Sequence, residues 1–352
     1  MPKKNPPTET SADLNLATMA GMFANENEAR EFLEKQRWPN GPVCPRCGHK
    51  EVYALTGREG SKNPVPKGVY KCAGCREKFT VRIGTILEES KIPICKWLMA
   101  FHLMTSSKKG VSSHQIAREC GITQKSAWFM NHRIREAMKK EPMASMLQGV
   151  VEVDETYVGG KPRKIAKIPG KPYISPADQK FASDPEVRNR KQNKRGRGTD
   201  KQPVMVLVER DGSARCFPLE NVKADTLKNE IAVNVAKAAV VMTDEFSAYA
   251  GVRDNPGEHR TVKHSAGEYC RVDEDGVLVH TNTAESFFAL LKRGHYGIFH
   301  QLSKKHLGRY CNEFGFRWDH RRVTDGERMM AAIGGIEGKR LMYREPVNGL
   351  VS

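Results

Sequence analysis

Val150-Val151-Glu152-Val153-Asp154-Glu155-Thr156-Tyr157 alternates in the manner of a β-strand. Val151, Val153 and Glu155 then share one face, and Glu152, Asp154 and Thr156 the other. An acid within an apolar strand needs a partner to offset its desolvation, so this strand is a candidate site as well as a fold element. Working outward, strand patterning recurs at 203–209, 214–218 and 238–243, with a helix at about 224–237 between the last two. The C-terminal third, 282–342, is mostly helical. The order β-β-β-α-β followed by helices predicts an α/β domain with a mixed sheet.

Two further acids stand at telling places. Ala238-Ala239-Val240-Val241-Met242-Thr243-Asp244-Glu245 begins as a continuous apolar run, suited to a strand buried on both faces, and Asp244 marks its end. Ligand sites in α/β folds favour the C-terminal ends of strands. Glu285 lies in Thr281-Asn282-Thr283-Ala284-Glu285-Ser286-Phe287-Phe288, which reads as a helix beginning near Asn282. Three converging carboxylates can hold divalent cations such as Mg²⁺ or Mn²⁺, which accept hard oxygen ligands. Lys292, two turns after Glu285, projects from the same helix face and could grip a phosphate. Each acid also has a plainer reading: Glu285 could complete a capping box with Asn282, and Glu152, Glu155 or Glu245 could replace its neighbour as ligand.

Upstream, Cys44-Pro45-Arg46-Cys47 and Cys72-Ala73-Gly74-Cys75 are two CxxC pairs joined by a β-prone segment. That spacing predicts a zinc ribbon, with four thiolates around one structural Zn²⁺ and glycines letting the backbone fold around the metal. Cys95, Cys120, Cys216, Cys270 and Cys311 are scattered and read as small buried apolar residues. From Val111 to Met138 a helix ending near Cys120, a turn at Gly121 and a second helix capped by Thr123 make a helix-turn-helix. Its second helix would present Gln124, Lys125 and Ser126 to base edges, with His132, Arg133 and Arg135 placed to meet phosphates.

The chain has 352 residues, enough for two or three domains, with 39% hydrophobic and 28% charged residues. Its net charge of +17 favours a polyanionic partner. Between 159 and 202 lies a long polar insertion. Lys161, Arg163, Lys164, Lys167 and Lys171 occur in it without an intervening acid, followed by Arg188, Arg190, Lys191, Lys194, Arg195 and Arg197. Such a loop can lie along a DNA backbone, with Arg190, Lys191, Lys194 and Arg195 as the contacts. No apolar run is long enough to span a membrane, and Met1 to Ser11 lacks the core of a secretory signal, so a cytoplasmic protein is expected.

Taken together, these segments resemble bacterial insertion-sequence transposases of the DDE type with an N-terminal zinc ribbon. The resemblance runs from about Asn25 to Leu341. It is carried by Trp38-Pro39-Asn40-Gly41-Pro42-Val43-Cys44-Pro45-Arg46-Cys47-Gly48 and Phe79-Thr80-Val81-Arg82-Ile83-Gly84-Thr85-Ile86, then by Glu152-Val153-Asp154-Glu155-Thr156-Tyr157-Val158-Gly159-Gly160, Thr283-Ala284-Glu285-Ser286-Phe287-Phe288 and Tyr310-Cys311-Asn312-Glu313-Phe314. It implies a ribonuclease-H-like catalytic core with Asp154, Asp244 and Glu285 as metal-binding acids and Lys292 as the associated basic residue. Some relatives use Asn as third ligand, which keeps Asn282 as an alternative. Where relatives tend to have Asn after the Phe-Arg pair, Phe316-Arg317-Trp318-Asp319 has Asp.

The expected organisation is a tail at 1–22, a zinc ribbon with its preceding helix at 23–90 and a helix-turn-helix region at 91–145. A ribonuclease-H-like domain at 146–342 follows, then a tail at 343–352. The expected activity is metal-dependent cleavage of element ends and joining to target DNA, with self-association on the DNA and no small-molecule substrate. A nucleoid-associated location follows from that partner. Two competing readings are a transcription regulator built on the ribbon and helix-turn-helix, which would not need the acid trio, and a metal-dependent nuclease without strand transfer.

Overall fold

The computed structural model describes residues 17–57, 65–139, 146–159, 199, 201–252 and 258–343. Its N-terminal part opens with α1 (Ala20–Ala24) and α2 (Glu26–Arg37). α2 is fixed locally at both ends. The Asn25 side chain accepts from the Asn27 amide at 2.9 Å, with Glu26 and Glu28 in the first turn and Lys35 and Arg37 in the last, opposing the helix dipole. Three short antiparallel strands follow in the order β1 (Val52–Ala54), β2 (Tyr70–Cys72) and β3 (Lys78–Phe79), making the ribbon.

α3 (Ile94–Ser106) leads into α4 (Ser113–Cys120) and α5 (Gln124–Ala137). The last two are the predicted helix-turn-helix, and their ends are set by the residues the sequence singles out. Ser112 accepts from the Gln115 amide, Gly121 closes α4 at φ 57°, and Thr123 accepts from the Ser126 amide to open α5.

The predicted mixed sheet has five strands in the order β6-β5-β4-β7-β8. β4 (Val150–Val158), β5 (Gln202–Glu209) and β6 (Ala214–Pro218) form an antiparallel meander. α6 (Ala224–Asn234) then crosses over, so that β7 (Val240–Asp244) lies parallel to β4 and β8 (His259–Val262) parallel to β7. A small hairpin, β9 (Arg271–Val272) and β10 (Leu278–Val279), precedes α7 (Asn282–Gly294), α8 (Leu307–Asp319) and α9 (Asp325–Gly334). Three antiparallel strands continued by two parallel ones, with helices on both faces, is the ribonuclease-H-like arrangement.

The alternation along β4 sorts its side chains as the pattern predicts. Val151 and Val153 pack with Met205, Leu207 and Val241 under Leu227 and Ile231 of α6. On the other face Val204, Val206 and Val208 pack with Ala284, Phe287 and Leu291 of α7 and Cys311 and Phe314 of α8. α9 leaves this core and joins the first one: Met329, Ala332 and Ile333 share a cluster with Trp97, Phe101, Met130 and Ile134. The 146–342 unit expected from sequence thus shares its last helix with the helical region before it.

Buried charge ties the two parts together as well. Glu313 of α8, 0% exposed, accepts from Arg135 of α5 at 2.6 Å and from Arg317 at 2.5 Å. Arg317 also donates to the carbonyls of Met104, at 2.6 Å, and Ser107 at the end of α3. Of the five scattered cysteines, Cys120, Cys216 and Cys311 are buried as expected, Cys95 is half-buried, and Cys270 is exposed. Cys270 adjoins the two-stranded hairpin of β9 and β10, which is too small to cover it. Among the described residues no helix is long and apolar enough to cross a membrane.

Candidate functional site

The four ribbon cysteines converge, with all four Sγ atoms within 4.8 Å of one another. Cys44 and Cys75 sulfurs are 3.7 Å apart and those of Cys47 and Cys72 3.5 Å. Zn–S bonds of about 2.3 Å in a tetrahedron require sulfurs roughly 3.8 Å apart, so the donor set fits zinc. Each pair is shaped by a backbone bond back to its first cysteine, from Gly48 to Cys44 at 2.9 Å and from Arg76 to Cys72 at 3.1 Å. The residue after each knuckle has positive φ, 73° at Gly48 but 60° at Arg76. The second turn is therefore made without the glycine that sequence reasoning looks for, since Gly74 is not the residue that needs it.

On the sheet, β4 pairs with β7 from Val150↔Val240 to Glu152↔Met242. Carrying this register on by two residues sets Asp154 beside Asp244, at the C-terminal end of β7. Glu285, in the first turn of α7, comes close enough that its charge acts on Asp154. Burial pushes the Asp154 carboxyl up to about 7, with Glu155 adding, and Asp244 and Glu285 contributing less. The Glu155 amide, donating to Asp154 at 2.7 Å, opposes that rise. Among the described residues no lysine or arginine pairs with any of the three acids. The nearest cation-forming group is His264, 3.9 Å from Glu285. Their oxygens do not all lie within 4.8 Å of one another, which only the four cysteines do among the described residues.

The competing acids are each engaged elsewhere. Glu152 is 0% exposed and accepts from Arg210 at 2.7 Å and from the Thr283 and Ala284 amides at 2.7 and 3.1 Å. Glu155 points to the other face and accepts from the Tyr249 hydroxyl at 2.6 Å. Glu245 accepts from the Ser265 amide and hydroxyl at 3.1 and 2.7 Å. Asp244 accepts from the Phe246 amide at 3.1 Å, a turn that holds it at the strand end. No capping box forms at Asn282, whose side of α7 is exposed; Thr281 precedes the helix without a side-chain cap. Lys292 is exposed two turns along α7, its ammonium 5.9 Å from the Phe288 ring. Asp319 accepts from the Ala214 amide at 2.8 Å and so joins α8 to β6.

The residues expected to touch DNA divide sharply. Gln124 and Lys125 are exposed at the start of α5; Ser126 is half-buried, its hydroxyl accepting from Thr123 at 2.9 Å. Arg133 and Arg135 are not at the surface. They are 6% and 1% exposed, because Arg133 donates to the Leu341 carbonyl and Arg135 to Glu313. The expectation of phosphate contacts from these two is corrected: Arg133 faces the segment after the last helix and Arg135 faces α8, and their packing against α5 is invisible in the local pattern. His132 is likewise buried, and desolvation holds its pKa far below the usual range. Arg190, Lys191, Lys194 and Arg195 lie outside the described residues. Sequence reasoning missed Arg210, Tyr249, His264 and His280, all single polar residues in turns or short elements with no spacing signal.

Two family comparisons fall on these same segments. Residues 24–78 match the transposase zinc-ribbon domain, and residues 146–319 match the ISXO2-like transposase domain. An uncharacterized protein in transposable element ISH50 of Halobacterium salinarum is 30% identical over 303 residues, covering 84% of this chain and 91% of that protein. The chain belongs to the ISXO2-like transposase family. The transposase also shows a slight likeness to solved Mos1 assemblies. A pre-cleavage transpososome is 17% identical, with TM-score 0.25 over 63% of this chain and 74% of that one. A strand transfer complex is 13% identical, with TM-score 0.26 over 67% of this chain and 73% of that one. Those scores are too low to argue from, and the fold rests on the strand order above.

Proposed function

We propose that this transposase binds the ends of its mobile element and catalyses metal-dependent cleavage and strand transfer, with Asp154, Asp244 and Glu285 as the metal-binding acids. The observation that carries the reading is the contrast among neighbouring carboxylates: Glu152, Glu155 and Glu245 accept from side-chain donors, whereas Asp154 and Asp244 accept from adjacent backbone amides, the charges of Asp244 and Glu285 act on Asp154, and among the described residues no lysine or arginine pairs with the three. Raising Asp154 to about 7 is the cost of burying it near other acids, and a divalent cation relieves that cost. Bound there, Mg²⁺ or Mn²⁺ would polarise the scissile phosphate and activate the attacking hydroxyl.

The chain's own groups do the rest. Asp154 and Asp244 project from adjacent strands of a packed sheet, so their spacing does not drift. Glu285 closes the set from α7, and Lys292 grips a phosphate further along that helix. Water breaks the bond at the element end and leaves a 3′-hydroxyl. That hydroxyl then attacks a target phosphorus, forming the new P–O bond as the target's own 3′-oxygen leaves. Gln124, Lys125 and Ser126 meet base edges, while the ribbon and the basic insertion hold the backbone. Joining two ends to one target calls for self-association on the DNA.

The test uses purified full-length protein, a labelled duplex carrying the element's ends, and Mg²⁺ or Mn²⁺ supplied or withheld. Metal-dependent 3′-end cleavage and joined products, lost in Asp154→Ala, Asp244→Ala and Glu285→Ala, are expected. Tight binding without strand breakage, unchanged in the variants, would leave a DNA-binding regulator. Cleavage without joining would leave a nuclease.

A further inference from the structure

Glu152 is buried, charged and unused by the chemistry just described. We propose that it is a positioning residue for Glu285: rooted two residues from Asp154 on β4, it caps the helix that carries Glu285 and so sets the spacing between the two acids. This rests on the metal-binding role proposed for Asp154 and Glu285.

A helix start leaves four amides without intrahelical partners, which a nearby side chain normally satisfies. At α7 the local solution is partial: His280 Nδ1 accepts from the Asn282 amide at 3.3 Å, which leaves the Thr283 and Ala284 amides to be satisfied. Its N-cap Thr281 makes no side-chain cap bond and lies instead 3.4 Å from His264. The acceptor for those two amides comes from 131 residues away in sequence. Glu152 Oε2 accepts from the Thr283 amide at 2.7 Å and the Ala284 amide at 3.1 Å, while Oε1 accepts from the Thr283 hydroxyl at 2.9 Å. A negative charge at this point also complements the positive end of the helix dipole.

The clamp extends to the chain entering α7. Arg210 donates to Glu152 at 2.7 Å and to the carbonyls of Leu278 and His280 at 2.6 and 3.2 Å, and His280 Nδ1 is 3.1 Å from Glu152. A carboxylate with no solvent exposure is tolerated only where donors replace its water, and four do so here. Glu285, by contrast, is half-exposed, with only His264 nearby at 3.9 Å. Its place is therefore set by the helix backbone, and that backbone is held by Glu152 one and two residues earlier.

Glutamine at 152 keeps the shape but turns one acceptor into a donor facing either the amides or Arg210. In full-length protein, Glu152→Gln should speed hydrogen exchange at the first turn of α7 while β4, β5 and β7 stay protected. Mn²⁺ binding, followed by the resonance of the free ion, should weaken about 10- to 100-fold, the usual cost of losing a group that orients a metal ligand. In a Glu285→Ala background the same substitution should change Mn²⁺ affinity no further. Faster exchange with unchanged Mn²⁺ affinity, or an additive loss in the double variant, would overturn the proposal. So would unchanged exchange. If Glu152→Gln does not fold, Thr283→Ala, which removes one donor, should give a smaller loss in the same direction, and no loss would overturn the proposal. Asp154→Ala reports separately on the metal-binding reading, which fails if that variant binds Mn²⁺ as tightly as the wild type.

Discussion

Glu313→Gln should destabilise the protein more than any surface change, because it removes the one anion between two buried guanidinium groups. Arg135 and Arg317 side chains are 2% and 4% exposed. Removing one partner of a buried pair typically costs about 3–5 kcal/mol. Arg317 keeps the carbonyls of Met104 and Ser107, whereas Arg135 keeps only the rings of Tyr310 and Phe299, at 4.0 and 5.3 Å. Gln also retains one acceptor, so the lower end, about 3 kcal/mol, is expected. At roughly 1–2 °C per kcal/mol for a chain of 352 residues, the melting temperature should fall by about 3–6 °C.

The pH dependence gives a second, independent check. Burial alone would raise the Glu313 carboxyl, but Arg135 and Arg317 outweigh it and hold it below the ordinary glutamate value. A depressed carboxylate contributes stability that is complete above its unfolded pKa and is lost as pH falls through its folded pKa. Thermal melts of wild type and variant should therefore differ by a constant amount near neutrality and converge only at acidic pH, below about 4. A variant that melts with the wild type, or a gap that widens in acid, would refute the reasoning.

Three further outcomes follow from the same geometry. Stripping zinc with a strong chelator should make Cys44, Cys47, Cys72 and Cys75 reactive to a thiol reagent and expose 44–79 to hydrogen exchange while the five-stranded sheet stays protected; thiols still blocked after chelation would argue against the site. Lys125→Ala should lower the slope of log K against log salt for DNA binding by about 1, whereas Arg135→Met should lower the melting temperature and leave that slope unchanged. The reverse pattern would put Arg135 on the DNA. Gly294→Ala should cost about 1–3 kcal/mol in urea unfolding, since a Cβ there meets the Phe314 ring and sits 2.8 Å from the Lys109 carbonyl; full tolerance would mean that α7 can shift off that loop.

What the sequence determined by itself was local. Paired cysteines with two residues between them announce their metal, because the ligand spacing is contained in one turn. Ser112, Gly121 and Thr123 set the helix-turn-helix ends, because a cap acts on amides within three residues. The alternation around Asp154 assigned its two faces, and the strand pattern gave the mixed α/β class, since a pleat repeats every two residues. The family resemblance added which acids to watch.

Only the tertiary structure decided the rest. The placement of β7 beside β4, which brings Asp244 to Asp154, depends on a crossover through α6 and on pairing some ninety residues apart. Nothing in the run from Trp128 to Met138 distinguishes an arginine that meets solvent from one that meets Glu313, 178 residues later. Glu152 and Asp154 look equivalent on their shared face, yet one is surrounded by donors and the other by acids. A buried charge takes its role from the partners that replace its water, and those partners are assembled by folding.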